Sequence, residues 1–103
     1  MVNEQCSFEI ILHSGNANCC FIEAADLIEE GRFAEAQESM NEGEKELAEA
    51  QRAHMDILVK LSSGETVDCD VLLVHAFDHV LEAMANKMMA TRLMKIYQAI
   101  ENR

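Results

Sequence analysis

Leu72–Glu82 reads LLVHAFDHVLE, an apolar run interrupted by four polar side chains. His75, Asp78, His79 and Glu82 stand at i, i+3, i+4 and i+7, offsets that share one face of a helix. The remaining positions are Leu72, Leu73, Val74, Phe77, Val80 and Leu81, together with Ala76. A polar stripe within so apolar a helix is either functional or a paired feature of the core, and the residues around it bear on which.

At 103 residues the chain has room for one domain and one core. Half of its residues are hydrophobic, only 5% are aromatic, and it has neither Pro nor Trp. A core of Leu, Ile, Met and Ala without proline suits long uninterrupted helices. The net charge of −11 argues against nucleic acid and anionic membrane surfaces, and favours a partner with a basic face. The opening MVNEQCSFEI lacks the basic patch and apolar run of a signal peptide. No segment approaches the ~18 consecutive apolar residues of a membrane span. Cys6, Cys19, Cys20 and Cys69 match no zinc spacing and read as reduced side chains of a cytoplasmic protein.

Outward from the stripe, the third helix is expected over about residues 70–101, with Asp68 or Asp70 as N-cap. Its apolar residues, among them Leu73, Phe77, Leu81, Met84, Met88 and Ile96, spread over more than one stripe. Such a helix buries two faces, one within the subunit and one against a further copy. Ser62-Ser63-Gly64-Glu65-Thr66 is a loop. A second helix is expected over 33–61, with Phe33, Ala36, Met40, Leu47, Ala50, His54, Ile57, Leu58 and Leu61 as its stripe. Asn41-Glu42-Gly43 reads as a place where it bends or frays. The first helix is expected over 7–30, with Phe8, Ile11, Leu12, Cys19 and Ile22 among its inward positions and Gly31 as a left-handed C′ residue. Ser14-Gly15-Asn16-Ala17-Asn18 is odd inside it: either a local weakness or a site of close backbone approach. The chain thus reads as all-α, a single antiparallel up-down-up bundle spanning 1–103.

His75 falls in the first two turns of the third helix, where the amide dipoles favour an anionic adduct such as a phosphoryl group. A neutral imidazole accepts and releases phosphoryl groups near pH 7. His75, Asp78 and His79 also suit a divalent metal. A structural cluster, phosphotransfer and metal binding all stay open on this chemistry alone.

His75-Ala76-Phe77-Asp78-His79, preceded by Val71-Leu72-Leu73-Val74, resembles the signature of the lactose/cellobiose family of enzyme IIA, where the pattern is His-Ala/Gly-Gln-Asp-His. Phe8-Glu9-Ile10-Ile11, Ser14-Gly15-Asn16-Ala17, Glu30-Gly31-Arg32-Phe33-Ala34-Glu35-Ala36 and Leu47-Ala48-Glu49-Ala50 are similar to its other segments. The family comprises cytoplasmic components of the bacterial phosphoenolpyruvate-dependent sugar phosphotransferase system. The resemblance implies a homotrimer assembled through the third helix, in which His75 takes a phosphoryl group from the phosphocarrier HPr and passes it to the IIB component. This occurs during uptake of a β-disaccharide such as lactose, cellobiose or chitobiose, with no sugar binding and no membrane insertion by the IIA chain itself. It further implies that His79 supports the acceptor and that Gly15 lets the first helix approach the phosphohistidine of its own or a neighbouring subunit. Asp78 would meet its symmetry mates around a divalent cation, magnesium or another, on the trimer axis.

Four positions depart from the family pattern. Phe77 replaces a glutamine beside the acceptor, Asn18 stands at a common arginine, and Gln51 and His54 reverse a His-x-x-Gln order. His13 and His54 read either as compensating donors or as ordinary core and surface histidines. Two rivals therefore accompany the phosphocarrier: a non-catalytic trimeric adaptor with the same fold, and a metal-binding bundle using His75, Asp78 and His79 of one subunit.

Overall fold

The computed structural model describes residues 2–103, and in these the chain forms three helices: α1 (Val2–Glu29), α2 (Phe33–Ser62) and α3 (Val71–Glu101). They run up, down and up in a rod 56 Å long and about 20 Å across. α1 lies along both of the others, whereas α2 and α3 meet sparsely. The two short connections end their helices by the same device. Gly31 has φ 78°; its N–H reaches the Ile28 carbonyl at 2.9 Å and the Arg32 N–H reaches that of Leu27 at 2.9 Å. Gly64, φ 86°, repeats the arrangement with the carbonyls of Leu61 and Lys60. These are Schellman closures, in which a left-handed glycine satisfies carbonyls that the helix end leaves open. α3 starts at Asp70, whose carboxylate accepts the Leu73 N–H at 2.9 Å.

α1 begins earlier than its composition suggests, at Val2 instead of near Ser7. Nothing in Val2–Cys6 breaks a helix, and Glu4 in the first turn suits the positive end of the dipole. The inner face of α1 also differs from expectation. Ile10, Ser14, Ala17, Phe21, Ala24 and Ile28 are buried, while Phe8, Leu12 and Ile22 are 50–58% exposed. α1 is apolar nearly all round, so its period does not single out one face. Small polar residues occupy the inside: the hydroxyls of Ser7 and Ser14 are buried with no hydrogen-bond partner.

α2 obeys its pattern better. Ala36, Met40, Leu47, Ala50 and Ile57 are buried, joined by Ala53, while Leu58 and Leu61 lie outside. The helix runs unbroken through Asn41-Glu42-Gly43, with no fraying there. Gly43 is instead the floor for Phe21: a Cβ built there would lie 2.6 Å from the ring. Three clusters fill the rod in sequence. Ile10 packs with Ala50, Ala53, Ile57, Leu73, Ala76 and Val80; Phe21 with Met40, Leu47, Ala83 and Ala90; Ile28 with Ala36 and Met94.

His54 stacks on Phe77 with ring centroids 4.3 Å apart, and burial pushes its pKa below the usual 6.5. On acidification the unfolded chain therefore takes up this proton first. Stability is complete above about pH 6.5 and falls as pH drops from there toward the lowered folded value. Between about pH 7.5 and 5.5 the melting temperature is expected to fall further in the wild type than in His54→Gln, as read by circular dichroism.

Candidate functional site

The polar stripe occupies the amino-terminal third of α3. The Asp70 cap fixes where the helix starts, so His75 is its fifth residue, still close to the amide-rich end. His75 is exposed and His79 half-buried one turn later. Their Nε2 atoms lie 3.1 Å apart, with the rings edge-to-face at 87°. Asn86, two turns beyond His79 on the same face, donates to the buried Asn18 of α1 at 2.7 Å. The histidine pair thus sits on the side of α3 that turns toward α1.

With both rings neutral, one of the two facing nitrogens donates to the other, and the far side of His79 decides which. His79 Nδ1 is buried and has no hydrogen-bond partner. A buried N–H without an acceptor costs more than a bare lone pair, so the favoured tautomer leaves Nδ1 of His79 unprotonated. Its Nε2–H then donates to Nε2 of His75. The donor marks Nε2 of His75 as a basic lone pair, and the remaining proton of that ring is on Nδ1.

Phe77 points elsewhere. Two residues after His75 it lies about 200° around the helix, on the α2 side, where it meets His54. Within one subunit neither its ring nor His54 is beside the histidine pair. Gln51 likewise lines a groove with Met84 and Met88 between α2 and α3. His13 is engaged on the other side of α1, with Nδ1 2.6 Å from a Glu46 carboxylate oxygen. Asn18 is held by Asn86 and is not free to reach an anion.

Asp78 is exposed on the outward face of α3, flanked along that face by the exposed Val74 and Leu81, and has no ion-pair partner within the described residues. It lies about 100° around the helix from His79. Among the described residues no group of three or more His, Cys, Asp or Glu is assembled for a metal within the chain, so His75, Asp78 and His79 do not form the single-subunit metal site that their spacing allowed. All four cysteines are free. Gly15 has no atom within 4 Å of the position a Cβ would take, so α1 makes no close approach there inside one subunit. The orphaned Nδ1 of His79 and the Phe77–His54 stack carry no sequence signal, because both depend on what α1 and α2 bring alongside. No helix among the described residues is long and apolar enough to cross a membrane.

The family model described as "PTS system, Lactose/Cellobiose specific IIA subunit" matches residues 5–98. The chain is similar to the oligo-beta-mannoside-specific EIIA component of Bacillus subtilis, with 33% identity over 95% of this chain and 89% of that one. It is similar to the cellobiose-specific EIIA component of Lactococcus lactis at 35% identity, over 91% and 84% of the two chains. The crystal structure of the cellobiose-specific enzyme IIA from Bacillus anthracis superposes with a TM-score of 0.94 at 32% identity, covering 100% of this chain and 94% of that chain.

Proposed function

The chain belongs to the lactose/cellobiose-specific IIA family of the sugar phosphotransferase system, and from that premise we propose that it is a cytoplasmic phosphocarrier whose acceptor atom is Nε2 of His75. The observation that carries this reading is the exposed His75 ring with its Nε2 held 3.1 Å from Nε2 of a half-buried His79. In the transfer, the P–N bond of a phosphohistidine on HPr breaks as a bond forms between phosphorus and Nε2 of His75. His75 keeps its Nδ1 proton. The His79 Nε2–H, displaced from the lone pair it had been bonding, is placed to donate to a phosphoryl oxygen instead. The early turns of α3 add a positive field at the same place. Transfer onward to IIB runs the same steps in reverse, and the relatives' names point to β-linked sugars as what is taken up.

The outward face of α3 supports a homotrimer. Val71, Val74, Leu81, Met88, Met89 and Ile96 are 43–86% exposed in the single chain, an apolar surface of the kind that a further copy covers. Asp78 lies within it. Three such carboxylates meeting on an axis would repel unless a cation joined them, so a divalent ion such as magnesium fits there and would supply charge neutralisation for assembly. Chelation, or Asp78→Glu, is then expected to loosen the trimer, whereas Asp78→Leu tightens it by about 1–4 kcal/mol, as measured by sedimentation at low concentration. Gly15, open in the isolated chain, is on this reading a place for a neighbouring subunit.

Incubation with phosphoenolpyruvate, enzyme I and HPr tests the proposal. The expected product carries one acid-labile phosphoryl group per chain. A chain that binds HPr yet takes up no phosphate would be the adaptor instead.

A further inference from the structure

Three buried side-chain atoms among the described residues have no hydrogen-bond partner: the hydroxyls of Ser7 and Ser14 on α1, and Nδ1 of His79 on α3. A buried polar group left unpaired is costly, and protein interiors seldom keep one. Ser14 is fully buried, and its hydroxyl is not turned back to a carbonyl of its own helix, as that of Thr91 is to Lys87. It therefore holds an unspent proton. Nδ1 of His79, in the tautomer argued above, holds an unspent lone pair.

The two groups face the same interface. Ser7, Ser14 and Asn18 lie within about 40° of one another around α1, and Asn18 accepts from the Asn86 amide at 2.7 Å. His79 and Asn86 lie within about 20° of each other around α3. The Asn18–Asn86 bond also sets the heights, because α1 and α3 run parallel. Ser14 is four residues, about 6 Å, toward the amino end from Asn18. His79 is seven residues, about 10.5 Å, toward the amino end from Asn86. His79 is thus about 4.5 Å below Ser14 and about 6 Å above Ser7, between the two hydroxyls.

The orientation of the ring chooses between them. Nε2 of His79 points toward the amino end, to Nε2 of His75 one turn earlier. The two nitrogens of an imidazole aim in nearly opposite directions, so Nδ1 aims toward the carboxyl end and into the bundle. That is the side of Ser14. Ser7 is on the side where His75 already stands.

We propose that Ser14 is a positioning residue of the phosphocarrier: its hydroxyl donates to Nδ1 of His79 and so directs the Nε2–H of that ring at the acceptor. The two atoms are beyond direct hydrogen-bond reach, and the span is that of one bridging water. With a donor on Nδ1, the proton of His79 is kept on Nε2, where it meets first the lone pair of His75 and then a phosphoryl oxygen. A proton moved to Nδ1 of His79 would reverse the pair. Nε2 of His75 would then carry the shared hydrogen and could not attack phosphorus. The proposal rests on the phosphocarrier reading above and adds a residue of α1 to that site.

Nitrogen-detected magnetic resonance of the isotope-labelled, unphosphorylated chain tests it, together with the rate of phosphorylation by HPr. In the wild type, Nδ1 of His79 is expected to resonate as an unprotonated, hydrogen-bonded nitrogen. Ser14→Ala should move it downfield to the position of a bare nitrogen, or bring in the Nδ1–H tautomer. It should also slow phosphorylation roughly two- to tenfold at an unchanged final level. Ser7→Ala removes an equally buried hydroxyl from the same face of α1 and should change neither reading, which separates the loss of one donor from a general loosening of the helix. An unmoved His79 signal or an unchanged rate in Ser14→Ala, or an equal effect of Ser7→Ala, would overturn the role of Ser14 while leaving the phosphocarrier standing. A wild-type chain that takes no phosphoryl group from HPr would instead overturn the phosphocarrier itself.

Discussion

His75→Ala is expected to lose all acid-labile phosphorylation by HPr, a fall of more than about a thousandfold in rate, since the variant lacks the only atom proposed to bond phosphorus. His79→Gln separates acceptor from support. It can still present an N–H to the acceptor, so it should phosphorylate more slowly but to the same final level, by about ten- to a hundredfold in rate. The reverse pattern, with label surviving His75→Ala and vanishing in a His79 variant, would exchange the two roles. Exposure favours His75 as the acceptor. It is the open ring of the pair, whereas His79 has one nitrogen sealed inside the bundle.

The largest effect on stability is expected from Phe21→Ala. Phe21 is fully buried at the middle of the rod, where α1, α2 and α3 all contribute to one cluster. Removing its ring should cost about 3–5 kcal/mol, a large part of the roughly 5–15 kcal/mol available to a domain of this size. Gly43→Ala attacks the same contact from the other side. Its methyl would lie 2.6 Å from the ring, so overpacking of about 1–3 kcal/mol should outweigh the ~1 kcal/mol helix-propensity gain. With the ring gone, the same Gly43→Ala change should become neutral or stabilising. Urea denaturation of the two singles and the double measures this coupling, and simple additivity would show that Phe21 and Gly43 do not touch in solution.

Those two residues also show where reading a sequence stops. Gly43 looks like a flaw in a helix of otherwise good formers, and only the ring crossing from α1 explains why a side chain is excluded. α2 was legible because acids at Glu35, Glu38, Glu42, Glu46 and Glu49 mark a wet face, of which only Glu46 proves half-buried, against His13 of α1. α1 was not, because Phe8, Leu12 and Ile22 are as apolar as Ile10, Phe21 and Ile28, and Ser7, Ser14 and Asn18 are on the inside. The apolar outside of α1 and α3 is the surface a single chain leaves unfinished, and a pattern that serves two interfaces cannot be assigned to one of them by period alone.

For the site, helical spacing was enough to pair His75 with His79, but it also placed Asp78 on the same stripe, whereas in the fold Asp78 is on the outward face about 100° around from His79. The same spacing, about 200° for two residues, sends Phe77 away from His75. The tautomer of the pair was out of reach, since it rests on the burial of one ring nitrogen of His79. The loop chemistry at Gly31 and the Asp70 cap needed no tertiary information, because left-handed φ and an N-terminal carboxylate are local requirements.

The central claim is that Nε2 of His75 carries the transferred group, and nitrogen-detected magnetic resonance of the phosphorylated, isotope-labelled chain tests it most directly. A phosphorus–nitrogen coupling at Nε2 of His75 is expected, with the proton of that ring on Nδ1. A coupling at Nδ1 of His75, or at any nitrogen of His13, His54 or His79, would contradict it.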